Sequence, residues 1–268
     1  MNRTITKCLA ILACILTTTI MISCGDNPPN GPTDDIAPRA ISDLTIDSVR
    51  SGITYISWTA TGDDDSLGKA SSYEIRYAAD SATLATWSEA IQVSNPPSPS
   101  NFGVTDRHSI PPSDVESYYI AIKAADEAGN KSLISNIVCN APKLDIEEKQ
   151  TSGTGCASII VPILAHNFDK IAGIELHIGY NQQTVACDSI RSSLLNDEIT
   201  NISNGTIHLA WANISNAITP SNGDTLALLY FSNLTGVCNL TFTSTCELAN
   251  KEGETLQADF ENGSMTCN

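Results

Sequence analysis

The chain predicts an all-β protein, two tandem β-sandwich domains behind an exported leader, and three observations carry that expectation. Apolar residues recur at every second position in short runs, helical periodicity is nearly absent, and Asn, Gly, Asp and Ser fill the gaps. The chain opens with Arg3 and Lys7 ahead of an apolar stretch from Leu9 to Ile22. That stretch is too short to span a bilayer comfortably and has the form of a signal peptide. About 230 residues follow the leader and its tether, enough for two domains of ordinary size.

Residues 1–23 read as the leader. Met21-Ile22-Ser23-Cys24, closing the apolar run, resembles the lipobox of bacterial lipoproteins, with Met21 where those proteins usually carry Leu. The resemblance implies that the Cys24 thiol is lipidated and becomes the new N-terminus. An ordinary secretory peptide or a single membrane anchor is the alternative. Residues 24–36 are rich in Pro, Gly, Asn and Asp with no apolar side chain before Ile36, which reads as a flexible tether. Residue 25 is Gly rather than the Asp that retains enterobacterial lipoproteins at the inner membrane. A lipid-anchored position at the outer membrane or cell surface is therefore expected, with the membrane reached through the lipid alone.

Charge and cysteine usage narrow the function classes. The chain holds 14 basic and 30 acidic residues for a net charge of −16, and loss of Arg3 and Lys7 with the leader takes it to −18. No basic stripe occurs, which argues against nucleic acid and anionic headgroups as partners. Acidity of this kind is expected to be a solvated surface. Of the nine cysteines, Cys8 and Cys14 lie in the leader and Cys24 is the lipidation site. Cys139, Cys156, Cys187, Cys238, Cys246 and Cys267 remain, an even number that in an exported chain suggests up to three disulfides, the pairing left open. No CxxC pair occurs and no His lies at ligand spacing from a Cys, so neither a metal nor a cofactor is expected.

The first domain spans residues 37–141. In "ITYISWTA", Thr54, Ile56 and Trp58 share one face; in "SSYEIRYA", Tyr73, Ile75 and Tyr77 do. In "SYYIAIKAADEAGN", Tyr118, Ile120, Ile122 and Ala124 alternate with Tyr119, Ala121 and Lys123 before a turn leads into a last strand, "SLISNIV". Asp63, Asp64 and Asp65 lack the spaced pattern of a calcium loop and read as a solvated turn. The order of Trp58, Tyr73-x-Ile75-x-Tyr77 and Tyr118-x-Ile120-x-Ile122-x-Ala124, with "AISDLTI" after Pro38, resembles a fibronectin type III domain. The resemblance implies that Trp58 is the central core aromatic and that Tyr118 is a tyrosine-corner residue whose hydroxyl bonds back to the backbone. Such a domain is expected to act as a spacer.

A short proline-bearing hinge leads to the second domain, residues 143–268, where eight strands are expected: "LDIEEKQ", "ASIIVPILAHN", "AGIELHIGY", "TVACDSI", "GTIHLAWA", "DTLALLYFSN", "CNLTFTSTCEL" and "GSMTC". Alternation sends Ile174, Leu176, Ile178, Ile207, Leu209, Trp211, Leu240 and Phe242 inward. It leaves Glu175, His177, His208, Ala210, Ala212, Thr241, Thr243 and Thr245 outward. Three stretches, "SIIVPILAHNFDKIAGIELHIGYNQQTV", "NGTIHLAWANISNAITPSNGDTLALLYFSN" and "CELANKEGETLQADFENGSMTC", resemble a cohesin domain, a jelly-roll sandwich that grips dockerin modules of polysaccharide-degrading enzymes through one flat sheet face. The resemblance implies that Glu175 sits at a common acidic contact position and Asn213 where some members have another acidic residue, while Gly173 replaces a polar contact. It also places the strands bearing Glu175, His208 and Thr241 side by side. His177 and His208 on adjacent strands would suggest a metal pair, but no cysteine or second carboxylate accompanies them.

Three function classes follow. The first is a non-catalytic lipid-anchored protein that captures a protein partner, such as a dockerin-like module, through Glu175, His177, His208, Asn213, Thr241 and Thr243. The second is a surface protein binding polysaccharide, disfavoured because flat glycan platforms need exposed aromatic rings. The third is an enzyme, for which the chain shows no GxSxG, HExxH or P-loop pattern and no pair of carboxylates in a cleft. No catalytic residue is expected.

Overall fold

The computed structural model describes residues 34–112, 117–153 and 156–268; the leader, Cys24 and the tether through residue 33 lie outside the described residues. The first sandwich contains β1 (Thr45–Arg50), β2 (Ile53–Thr59), β3 (Ser72–Ala78), α1 (Ser81–Ala85), β4 (Ile91–Gln92), β5 (Thr105–Ile110), β6 (Tyr119–Ala125) and β7 (Val138–Cys139). Its two sheets run β1-β2-β5 and β4-β3-β6-β7. Period-two alternation points Ile56, Trp58, Tyr73, Ile75, Ile120 and Ile122 into one buried cluster between them. Trp58 meets Tyr73 edge-to-face at 5.1 Å. The Tyr73 hydroxyl donates to buried Asp106 at 2.8 Å, and this burial raises the tyrosine pKa.

Three expectations for this segment are corrected. Tyr118 sends its hydroxyl to the Thr54 hydroxyl at 2.9 Å, not to the backbone. Thr54 is wholly buried and accepts from the Asn140 amide as well, so a side chain supplies the acceptor. Replacing Tyr118 with Phe is expected to cost about 1 kcal/mol, read as a lower urea midpoint at unchanged slope. The strand expected over "SLISNIV" shrinks to β7, because Ser132 and Ser135 accept the Ala124 and Ile122 N–H groups through their hydroxyls. Each of those serines also donates its own N–H back to β6, so a ladder persists without regular strand geometry. Helical periodicity misses α1, a single turn capped by the Asp80 carboxylate on the Thr83 N–H at 2.8 Å. Leu84 of α1 covers the other face of β6, which is why outward-facing Ala121 is fully buried.

The second sandwich contains β8 (Lys143–Ile146), β9 (Lys149–Thr151), β10 (Ile159–His166), β11 (Ile171–Gly179), β12 (Ala186–Arg191), β13 (Ile199–Ser203), β14 (Thr206–Ala212), β15 (Asp224–Ser232), β16 (Val237–Phe242), β17 (Glu247–Asn250), β18 (Thr255–Leu256), β19 (Asp259–Glu261) and β20 (Gly263–Cys267). The back sheet runs β12-β15-β10-β8-β19. The front sheet runs β13-β14-β11-β16-β20-β9, with β17 also paired to β11. The eight expected strands are thus redrawn. "LDIEEKQ" divides into β8 and β9 on opposite sheets; the expected closing strand "GSMTC" is β20, and β19, just before it on the other sheet, was not expected. Both segments change sheets where Gly263 meets Ile146: a Cβ on Gly263 would lie 2.3 Å from the Ile146 carbonyl oxygen, so only glycine fits.

Among the described residues one disulfide, Cys156–Cys267, ties the start of this sandwich to its last strand. Cys139, Cys187, Cys238 and Cys246 carry free thiols, so the expectation of up to three disulfides reduces to one. Burial pushes the Cys187 thiol up to about 12, and Cys238 is wholly inside the core. The hinge is corrected too. Ala141 and Asn140 are buried at the joint, and Asn167 donates its amide to the Cys139 and Ala141 carbonyls at 3.2 and 3.1 Å. Asn222 reaches the Ile46 carbonyl at 2.9 Å, and the Gly52 N–H donates to Asp169 at 2.8 Å. The two sandwiches are pinned by the side chains of Asn167, Asn222 and Asp169.

Candidate protein-binding face

The front sheet buries one side and leaves the other to solvent. Ile174, Leu176, Ile178, Ile207, Leu209 and Trp211 point inward, as alternation predicts, and join one core with Leu226, Leu229 and Phe231 of the back sheet. Strand register then fixes which outward side chains are neighbours. His177 lies opposite His208, which lies opposite Asn201. Glu175 lies opposite Ala210 on one side and Glu247 on the other, and Ala210 lies opposite Ile199. Gly173 lies between Ala212 and Ala249, and Gly179 lies between Thr206 and Thr241.

These rows make a shallow depression of about 440 Å³, bordered by Gly173, Ala210, Ala212 and Ala249 together with Glu175, Glu247 and Asp197. The small residues keep its floor low: a Cβ on Gly173 would come within 3.1 Å of the Ala249 Cβ. Ile199, 68% exposed, stands at its edge. Glu175 and Glu247 are cross-strand partners, and with Asp197 they give the depression an acidic border that attracts a cationic group from outside.

Glu175, His177 and His208 come together. The Glu175 carboxylate is 3.1 Å from the His177 Nε2 and 3.6 Å from the His208 Nε2, and the two rings stack at 4.3 Å. The hydrogen bond from His177 holds the Glu175 carboxyl below its ordinary range. From the sequence the histidine pair is set aside for want of a cysteine or a second carboxylate; the structure adds neither, but brings Glu175, already expected on that face, within reach of both rings.

Below His177 the ladder is interrupted. The expected strand "CNLTFTSTCEL" divides into β16 and β17, and the gap is bridged by Thr243 N–H donating to the His177 carbonyl at 2.9 Å and by the Cys246 sulfur accepting the His177 N–H at 3.2 Å. Cys246 therefore serves as a backbone partner. Thr241 and Thr243 are both exposed on this side, Thr243 sharing a hydrogen bond with Thr245 at 2.9 Å. Asn213 falls outside the rows: it follows the end of β14, and its side chain accepts the Asn216 N–H at 3.0 Å to close a turn. Ile199 and Asn201 were missed because β13 was not recognised as a strand, and Glu247 and Ala249 because one continuous strand was expected where β16 and β17 are separate. The Asn204-Gly205 pair, both at positive φ, is the hairpin signal that marks β13.

No protein-family model and no curated protein sequence matches the chain. Among solved structures it is similar to a non-cellulosomal cohesin from the hyperthermophilic archaeon Archaeoglobus fulgidus, at 18% identity over 48% of this chain and 91% of that one, with a TM-score of 0.41. It is similar to the sixth cohesin of scaffoldin B from Acetivibrio cellulolyticus, solved with a dockerin, at 16% identity over 48% and 99% of the two chains, TM-score 0.43. A type I cohesin–dockerin complex from Clostridium thermocellum matches at 12% identity over 48% and 94%, TM-score 0.43. Each likeness extends over about half of this chain.

Proposed function

We propose that this chain is a non-catalytic capture protein whose second sandwich, a cohesin-like module, binds a dockerin-like protein partner through the outer face of its front sheet. The register-aligned face carries the reading: an exposed, low-floored depression with an acidic border lies where the sequence resemblance to cohesins puts the contact surface. A partner presenting a Lys or Arg beside small or apolar side chains fits it by charge and shape. A glycan platform fits less well, because Phe168, Trp211 and Phe231 are buried and Phe242 packs against Phe260, partly covered. Presenting purified dockerin modules to the immobilised full chain tests the reading. Saturable one-to-one binding supports it; retention of polysaccharide with no dockerin bound would replace it.

The rest of the proposal concerns placement. The sandwich of three-stranded and four-stranded sheets, with Trp58 at its centre, supports a fibronectin type III-like spacer. Export and lipidation at Cys24 would hold the chain at the outer membrane or cell surface. The full-length protein is then expected to partition into the detergent phase, and Cys24→Ser to move it to the aqueous phase. An unmodified Cys24 in the mass spectrum would contradict lipid anchoring.

A further inference from the structure

We propose that Glu175, His177 and His208 form a binding site for a divalent first-row transition-metal ion, with zinc the natural probe. The three side chains come from two paired strands. His177 and His208 are direct cross-strand partners, and Glu175 is two residues away on the same face. Their ligand atoms lie within 4.8 Å of one another. A tetrahedral zinc ion with bonds of about 2.0–2.2 Å holds its ligand atoms about 3.3 Å apart. The distances from the Glu175 Oε1 to the two Nε2 atoms, 3.1 and 3.6 Å, bracket that spacing.

A second observation points to a missing ligand. The His208 Nε2 is buried and has no hydrogen-bond partner, the Glu175 carboxylate standing 3.6 Å away. A buried ring nitrogen is rarely left so. A cation would complete its bonding. Two imidazoles and one carboxylate suit a borderline ion such as zinc better than calcium or magnesium, which prefer oxygen ligands. The β11–β14 ladder fixes both backbones, so binding requires only side-chain adjustment. Three protein ligands leave a fourth position facing outward for water or a group from another molecule. Elsewhere, His166 faces Asp145 at 2.9 Å, but Lys143 stands 4.0 Å from that carboxylate and would oppose a metal.

The proposal does not depend on the identity of the protein partner. The full chain, stripped with a chelator, would be titrated with zinc chloride in a calorimeter. One zinc ion per chain is expected, and either His177→Ala or His208→Ala should weaken binding by at least about tenfold. Histidine ring 15N shifts in the unmutated protein provide a readout independent of variant folding: His177 and His208 should move on adding zinc while His108 and His166 do not. Absence of saturable binding would overturn the proposal. So would unchanged affinity in both variants, or shifts confined to His108 or His166.

Discussion

Trp211→Ala is expected to destabilise the second sandwich by about 3–5 kcal/mol, enough to unfold a marginal domain. Trp211 sits on β14 opposite Ile174, is 5% exposed, and is part of the core shared by the two sheets. Its indole N–H donates to the Asn196 carbonyl at 3.0 Å, fixing the segment before β13 to the sheet. Truncation removes the largest side chain of the front sheet's inner face, leaves a cavity between two laddered sheets that cannot collapse freely, and frees a carbonyl. Urea unfolding followed by tryptophan-independent circular dichroism would show a transition at much lower denaturant. A midpoint shifted by no more than a surface substitution would contradict the placement of Trp211.

The combined change of Glu175, His177 and His208 to Ala is expected to have the opposite profile. Each points outward on β11 or β14 while its strand neighbours Ile174, Leu176, Ile207 and Leu209 fill the core. Removing outward side chains leaves that packing intact, so stability should change by no more than about 0.5 kcal/mol per site. Partner binding should fall by at least about a hundredfold, the loss of one or two strong contacts in a compact interface. Normal binding by the triple variant would move the contact surface to the loops at 166–172 or 213–224.

What the sequence made legible was parity. Alternation alone sorted inward from outward residues on β11, β14 and β16, because a sheet with one buried face imposes apolar side chains at every second position. That is why Glu175, His177, His208 and Thr241 were recognisable as outward; only the resemblance to cohesins set their strands side by side. Sheet switching was not legible: a strand that crosses from back to front at Glu147–Glu148 keeps its alternation, and only the facing of Gly263 on Ile146 reveals the crossing. Edge strand β13 escaped because four of its five residues are exposed, so no apolar rhythm marks it. Disulfide pairing depends on which strand ends meet in space, and Cys246 is used by the His177 N–H in a way that composition cannot indicate. The union of Glu175 with both histidines likewise depended on register, which sets His208 opposite His177.

The most direct test is a titration of the immobilised full chain with a purified dockerin, run side by side on the unmutated protein, the triple variant and Ala212→Arg. Ala212 is exposed beside Gly173 at the depression, and an arginine there fills the space a partner would occupy without touching the core. The unmutated protein should bind at one-to-one stoichiometry, and both variants should lose binding while unfolding at the same urea concentration. Equal binding by all three proteins would contradict a capture site on this face.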